Sequence, residues 1–158
     1  MLSVNIKNEE GTKEVAHKIA VILEPNDTVL LYGDLGAGKT AFTRYLINAL
    51  SEKAEEVPSP TFTLVQTYPT PKGDIWHFDL YRIEHPEEIY ELGWEEAQAT
   101  GITIVEWPER LGGFLPDDRL EIVINNVKDQ ENERQVSFKE VGSWNGRLSI
   151  LGIENGTE

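Results

Sequence analysis

Thr28-Val29-Leu30-Leu31-Tyr32-Gly33-Asp34-Leu35-Gly36-Ala37-Gly38-Lys39-Thr40 is the stretch that decides the fold. Its first five residues form a continuous apolar run, the pattern of a strand covered on both faces. Glycines follow at 33, 36 and 38. From Lys39 to about Glu52 the residues Phe42, Tyr45, Leu46, Ala49 and Leu50 recur at helical spacing. Strand, tight loop and helix in that order predict an α/β unit whose loop sits at the end of a buried strand.

That loop carries chemistry, because Gly33, Gly38, Lys39 and Thr40 satisfy G-x-x-x-x-G-K-[ST]. Glycine reaches backbone angles closed to other residues, so successive N–H groups can turn inward around a phosphate at the positive end of the following helix. The expected binding set is Gly33, Leu35, Gly36, Ala37, Gly38, Lys39, Thr40 and Ala41. Lys39 reaches the β- and γ-phosphates, and the Thr40 hydroxyl ligates magnesium, a hard cation that prefers oxygen. The competing reading is an ordinary strand-to-helix turn with three glycines, and the strand and helix on either side weigh against it.

Working outward, Val15, Ala16, Ile19, Ala20, Ile22 and Leu23 predict an amphipathic helix over Thr12 to Glu24, stopped by Pro25-Asn26-Asp27. Phe62 to Tyr68 and Ile75 to Tyr81 read as two paired strands with a turn over Pro69 to Gly73. Pro86 to about Ala97 suits a short acidic helix interrupted at Gly93, and Ile102 to Val105 is a second buried-type strand. Leu120 to Ile124 and Gln135 to Lys139 alternate as late, antiparallel strands. The fold expected is an α/β single-domain P-loop NTPase fold: a central, mostly parallel sheet flanked by helices, with added antiparallel strands. The domain spans residues 1–153, and residues 154–158 form a polar tail.

A phosphate-loop site also needs a carboxylate at the end of a neighbouring strand. Asp79 ends one strand and Glu106 ends another, and strand geometry alone does not say which holds the metal. Either acid alone can be a solvated strand end. Thr61, in Ser59-Pro60-Thr61, is placed to bring a hydroxyl to the metal or γ-phosphate, as switch loops do, or to start a strand. Trp107 and Trp94 can stack on a base or a partner, or pack in the core. Arg82 can neutralise phosphate or pair with an acid. His77, a lone histidine on an apolar strand, reads as structural. Guanine-specific phosphate-loop proteins usually carry Asn-Lys-x-Asp; the nearest string, Asn126-Val127-Lys128-Asp129, has the wrong order, which favours ATP.

Composition narrows the class. With no cysteine among 158 residues, disulfides and thiolate metal sites are excluded. The opening Met-Leu-Ser-Val-Asn lacks a basic and apolar leader, and no apolar run approaches the roughly 20 residues of a membrane span, so a cytoplasmic protein is expected. A net charge of -14, from 28 acidic against 14 basic residues, makes an autonomous grip on a nucleic-acid backbone unfavourable.

Four segments together resemble one family: Gly33 to Thr40, Ser59-Pro60-Thr61-Phe62-Thr63-Leu64-Val65, His77-Phe78-Asp79-Leu80-Tyr81-Arg82 and Val105-Glu106-Trp107-Pro108-Glu109. In order and spacing they are similar to the TsaE (YjeE) family, the bacterial ATPases of tRNA threonylcarbamoyladenosine biosynthesis, from about Asn8 to Glu140. The resemblance implies ATP and Mg2+ as cofactors. It implies TsaD and TsaB as partners, with tRNA met only through them and no membrane. It also implies slow hydrolysis that lets those partners turn over repeatedly without this chain performing the transfer. Carried over by motif, Lys39, Asp79 and Glu106 are catalytic, and Thr40, Asp79 and Glu106 are the magnesium set. Thr61 lies in the switch-like motif, Trp107 lies beside the nucleotide, and Thr12 lies near the adenine. Gly11 and Ala41 depart from the residues more usual in the family. Two other readings stay open: a nucleotide-sensing module in which hydrolysis is incidental, and a small-molecule kinase, for which the scattered arginines offer no lid.

Overall fold

Residues 2–34, 36–51 and 64–151 are described by the structure, a computed structural model, apart from the side chain of Ile150. They run in the order β1 (Leu2–Ile6), α1 (Glu9–Ile22), β2 (Thr28–Tyr32), α2 (Lys39–Ser51), β3 (Val65–Tyr68), β4 (Ile75–Asp79), a 3-10 segment (Pro86–Leu92), α3 (Trp94–Thr100), β5 (Ile102–Glu106), a second 3-10 segment (Pro108–Phe114), β6 (Arg119–Val127) and β7 (Gln130–Val141), closing on short 3-10 turns at Gly142–Trp144 and Arg147–Leu151. The predicted polar tail and the Ser59-Pro60-Thr61 segment lie outside the described residues.

The described strands form one sheet in the order β1-β7-β6-β2-β5-β4-β3. The middle four, β6, β2, β5 and β4, are parallel, while β7, β1 and β3 add antiparallel pairs at the two sides. This is the expected α/β architecture. The two late strands do pair antiparallel with each other, but β6 also runs parallel to β2 and so belongs to the central sheet.

The apolar run in β2 has its cause in the layers. Val29 and Leu31 face one core cluster with α1 and α2, whereas Leu30 faces a second cluster with Phe78, Trp94 and Val105. With both faces covered, alternation in the sequence disappears. Trp94, weighed as a stacking platform, is buried in that second cluster with its ring edge-on to Phe78 at 5.3 Å.

Two elements depart from expectation. Helix α1 begins at Glu9 rather than Thr12, because Asn8 caps it by accepting a hydrogen bond from the Gly11 N–H at 2.9 Å, and Glu9 and Glu10 sit at its positive end. Strand β1 was not anticipated. It is five residues long with only Ile6 buried, so its pattern is weak, and pairing with β7 supplies its order. The acidic segment breaks at Gly93, as read, where φ is +89°, and its second half runs on to Thr100.

Candidate functional site

The site forms at the carboxyl ends of the parallel strands, where ligands gather in open α/β sheets. The chain leaves β2 at Tyr32, turns through a loop with Gly33, Gly36 and Gly38 at φ +151°, +81° and +103°, and enters α2 at Lys39. Gly33 is needed for a close approach as well as its angle: a Cβ there would lie 2.6 Å from the Ile124 carbonyl oxygen of β6. Leu35 lies outside the described residues.

Side chains alternate along a strand, so His77 and Asp79 of β4 and Glu106 of β5 fall on the sheet face that also carries Ile75, Ile102 and Ile104, the face covered by α1 and α2. Asp79 and Glu106 are register partners across the β4–β5 pair. Both acids are buried, at 3% exposure each, which sets them apart from solvated strand ends. Thr40, in the first turn of α2, donates its hydroxyl to Glu106 Oε1 at 2.9 Å. The other carboxylate oxygen, Oε2, lies 2.6 Å from His77 Nε2. A carboxylate only accepts, so a neutral His77 ring carries its proton on Nε2. The Asp79 Oδ1 atom accepts from the Tyr81 N–H at 3.1 Å.

Lys39 is buried, and its ammonium donates to the Gly33 carbonyl and lies 3.7 Å from the centroid of the Trp107 ring. Burial holds its pKa below the usual lysine value, and the carboxylates of Glu106, Glu109, Asp79 and Asp34 oppose that shift. Trp107 adopts a left-handed backbone, φ +59°, uncommon for a bulky residue, and its ring meets Tyr81 at 4.8 Å. The turn out of β5 therefore carries local strain that sets the indole over Lys39.

On the other flank of the loop, Thr12 and Glu9 of α1, Ala37, Gly38, Ala41 and Phe42, and the β6–β7 residues Ile124, Asn132, Arg134 and Val136 line a cavity of about 160 Å3. Lys39, Thr40, Asp79, Glu106 and Trp107 thus form one group, and Thr12, Ala37, Gly38 and Ala41 a second beside it. Gly36 is exposed at the loop, and Thr61 lies outside the described residues. Sequence reasoning missed Arg134 and Asn132, which belong to no motif. His77, read as structural, is buried in the core and hydrogen-bonded to Glu106, and the i, i+2 spacing to Asp79 places both on one face. Among the described residues, no group of three or more His, Cys, Asp or Glu side chains is arranged to hold a metal ion. No described helix is long and apolar enough to cross a membrane.

An α/β sheet with a parallel centre and a Gly-x-x-x-x-Gly-Lys-Thr loop between β2 and α2 defines the phosphate-loop NTPase fold class. A family model described as "Threonylcarbamoyl adenosine biosynthesis protein TsaE" matches residues 6–136, and the chain belongs to the TsaE family. Proteins named "tRNA threonylcarbamoyladenosine biosynthesis protein TsaE" resemble it along most of their length. The one from Rickettsia felis is 46% identical over 146 residues, covering 92% of this chain and 84% of the relative. The one from Bacillus subtilis is 39% identical over 137 residues, covering 86% and 84%. A crystal structure of YdiB from Bacillus subtilis superposes with a TM-score of 0.72 at 33% identity, covering 96% of this chain and 90% of that one.

Proposed function

We propose that this chain is a magnesium-dependent ATPase that binds ATP at Gly33 to Thr40 and hydrolyses it slowly. It works in the cytoplasm with TsaD and TsaB in threonylcarbamoyladenosine modification of tRNAs reading codons that start with A, and it does not itself transfer the threonylcarbamoyl group. The observation that carries the reading is the 2.9 Å hydrogen bond from Thr40 to Glu106, which joins the phosphate loop to a buried strand-end acid. The names of the relatives support the pathway. The net charge of -14 supports a role in which a partner grips the tRNA.

The residues suit the proposed cofactors. Two adjacent oxygen donors, Thr40 Oγ1 and Glu106 Oε1, fit a hard cation that takes its remaining ligands from phosphate and water. When bound, magnesium neutralises charge on the phosphate oxygens. Lys39 adds a fixed cation, and the loop amides add oriented donors. Asp79, in register with Glu106, is the second acid of the magnesium and water-positioning set. His77 holds one oxygen of Glu106, leaving the other toward Thr40. The cavity beside Thr12 and Ala41 takes the nucleoside, Trp107 borders the phosphates, and Thr61 serves as the switch-like hydroxyl.

ATP hydrolysis measured with and without the TsaD–TsaB complex tests the proposal, with faster hydrolysis expected when the partners are present. Asp79→Ala and Glu106→Ala should retain ATP binding and lose hydrolysis by about a hundredfold or more, the scale of removing a stabiliser of transition-state charge. Repeated tRNA modification should stop with it. Continued modification cycles without hydrolysis would make the chain a nucleotide-sensing module instead.

A further inference from the structure

Arg134 sits on β7 opposite Ile6 of β1 and Asn126 of β6. Its Nη1 donates to two carbonyls near it in sequence, Glu131 at 2.7 Å and Glu133 at 2.8 Å, which fix the plane of the guanidinium. With the fork so held, Nε donates to the carbonyl of Ala37 inside the glycine loop at 3.0 Å. No peptide bond among the described residues is cis, so the Ala37 carbonyl and the Gly38 N–H, which share one peptide plane, point in opposite directions. A guanidinium that draws the Ala37 carbonyl toward β7 therefore turns the Gly38 N–H away from β7. Gly38, at φ +103°, lets the backbone accept that orientation. The same hairpin backs the loop a second time at Gly33, where the Ile124 carbonyl leaves no room for a side chain.

We propose that Arg134 is a positioning residue for phosphate binding: it holds the Ala37–Gly38 peptide so that the Gly38 N–H is aimed at the phosphate before the nucleotide arrives. The inference rests on the phosphate-loop reading above and extends it to a residue outside every motif of that reading. An oriented amide binds an anion without reorganising, and a free one loses part of the gain in ordering. Arg134 also lines the cavity beside the loop, so contact with the base is the competing role.

A ligand without a base separates the two roles. Binding of Mg-ADP and of inorganic pyrophosphate is measured by calorimetry for the wild type, Arg134→Gln and Arg134→Lys, with the amide proton of Gly38 followed by NMR. Arg134→Gln should weaken both ligands by about tenfold, the scale of one hydrogen bond to a charged group. It should also shrink the downfield shift of the Gly38 amide on binding. Arg134→Lys, which keeps a cation able to reach one carbonyl, should restore part of both, and it serves alone if the glutamine variant does not fold. Unchanged affinity and Gly38 shift in the variants, or a loss confined to ADP, overturns the role of Arg134 and leaves the phosphate loop standing. A wild type that binds neither ligand removes the phosphate-loop reading, and this inference with it.

Discussion

Glu106 gathers several contacts of the candidate site at one side chain. It ends a strand with no exposed residue, receives the Thr40 hydroxyl on one oxygen and meets His77 on the other. The sequence made Glu106 and Asp79 visible as acids at strand ends and left their roles equal. Their surroundings differ, since Thr40 reaches Glu106 and Asp79 Oδ1 takes the Tyr81 N–H. Arg134 was not legible, because a lone arginine at a strand position has no spacing to mark it. The loop glycines differ in kind as well. Gly33 and Gly36 both have positive φ, but a Cβ meets a backbone carbonyl only at Gly33 and finds open space at Gly36. Gly33→Ala should therefore destabilise by about 2–4 kcal/mol, combining backbone strain with overpacking, and Gly36→Ala by about 1 kcal/mol from strain alone. Denaturant unfolding of the two variants reads the difference.

At the scale of elements, strand, loop and helix from Thr28 to Ser51 were legible because a buried strand, a glycine turn and a helical period each leave a distinct pattern. Strand β1 and the first turn of α1 were not. In β1 order comes from a partner distant in sequence, and in α1 the cap comes from Asn8 ahead of a helix-weakening Gly11. The 3-10 segment from Pro86 to Leu92 is organised by a carboxylate that can be tested by pH. Glu88 Oε2 accepts the N–H groups of His85 at 2.7 Å and Glu84 at 2.8 Å. These bonds to the ionised form lower its pKa from the ordinary 4.5. A carboxyl whose folded pKa is depressed adds stability that is present above its unfolded pKa and lost as pH falls through the folded value. The stability gap between wild type and Glu88→Gln should thus be constant above the ordinary pKa and narrow as acid takes the pH below it. A gap that stays flat through the acid range would show that the two N–H bonds do not favour the ionised form.

At the scale of the whole molecule, the sheet order and the role of the last segment were beyond the reach of local pattern. The family match ends at residue 136, and no motif follows Val141. Yet Trp144 and Leu148 are buried in the main core, and Arg147 spans Asp27 at 2.7 and 2.8 Å and the Ile22 carbonyl at 2.7 Å, with its guanidinium 3.8 Å from the Trp144 ring centroid. The segment clamps the α1–β2 corner, which leads into β2 at the end opposite the phosphate loop. Ending the chain after Val141 should cost at least about 3–5 kcal/mol, the range for emptying one large aromatic site, and thermal unfolding should show a lower or absent cooperative transition. An unchanged transition would mean that the corner stands without its clamp.

The proposed function rests on one claim, that nucleotide turnover at Lys39, Thr40 and Glu106 drives repeated action of a tRNA-modifying partner. The most direct test is multiple-turnover threonylcarbamoyladenosine formation by purified TsaD–TsaB with tRNA, ATP and magnesium, supplied with wild-type chain or with Lys39→Ala. Many modified tRNAs per partner complex are expected with the wild type and no more than about one with Lys39→Ala, since loss of the phosphate-loop lysine removes nucleotide turnover. Equal multiple turnover with the two proteins would contradict the claim.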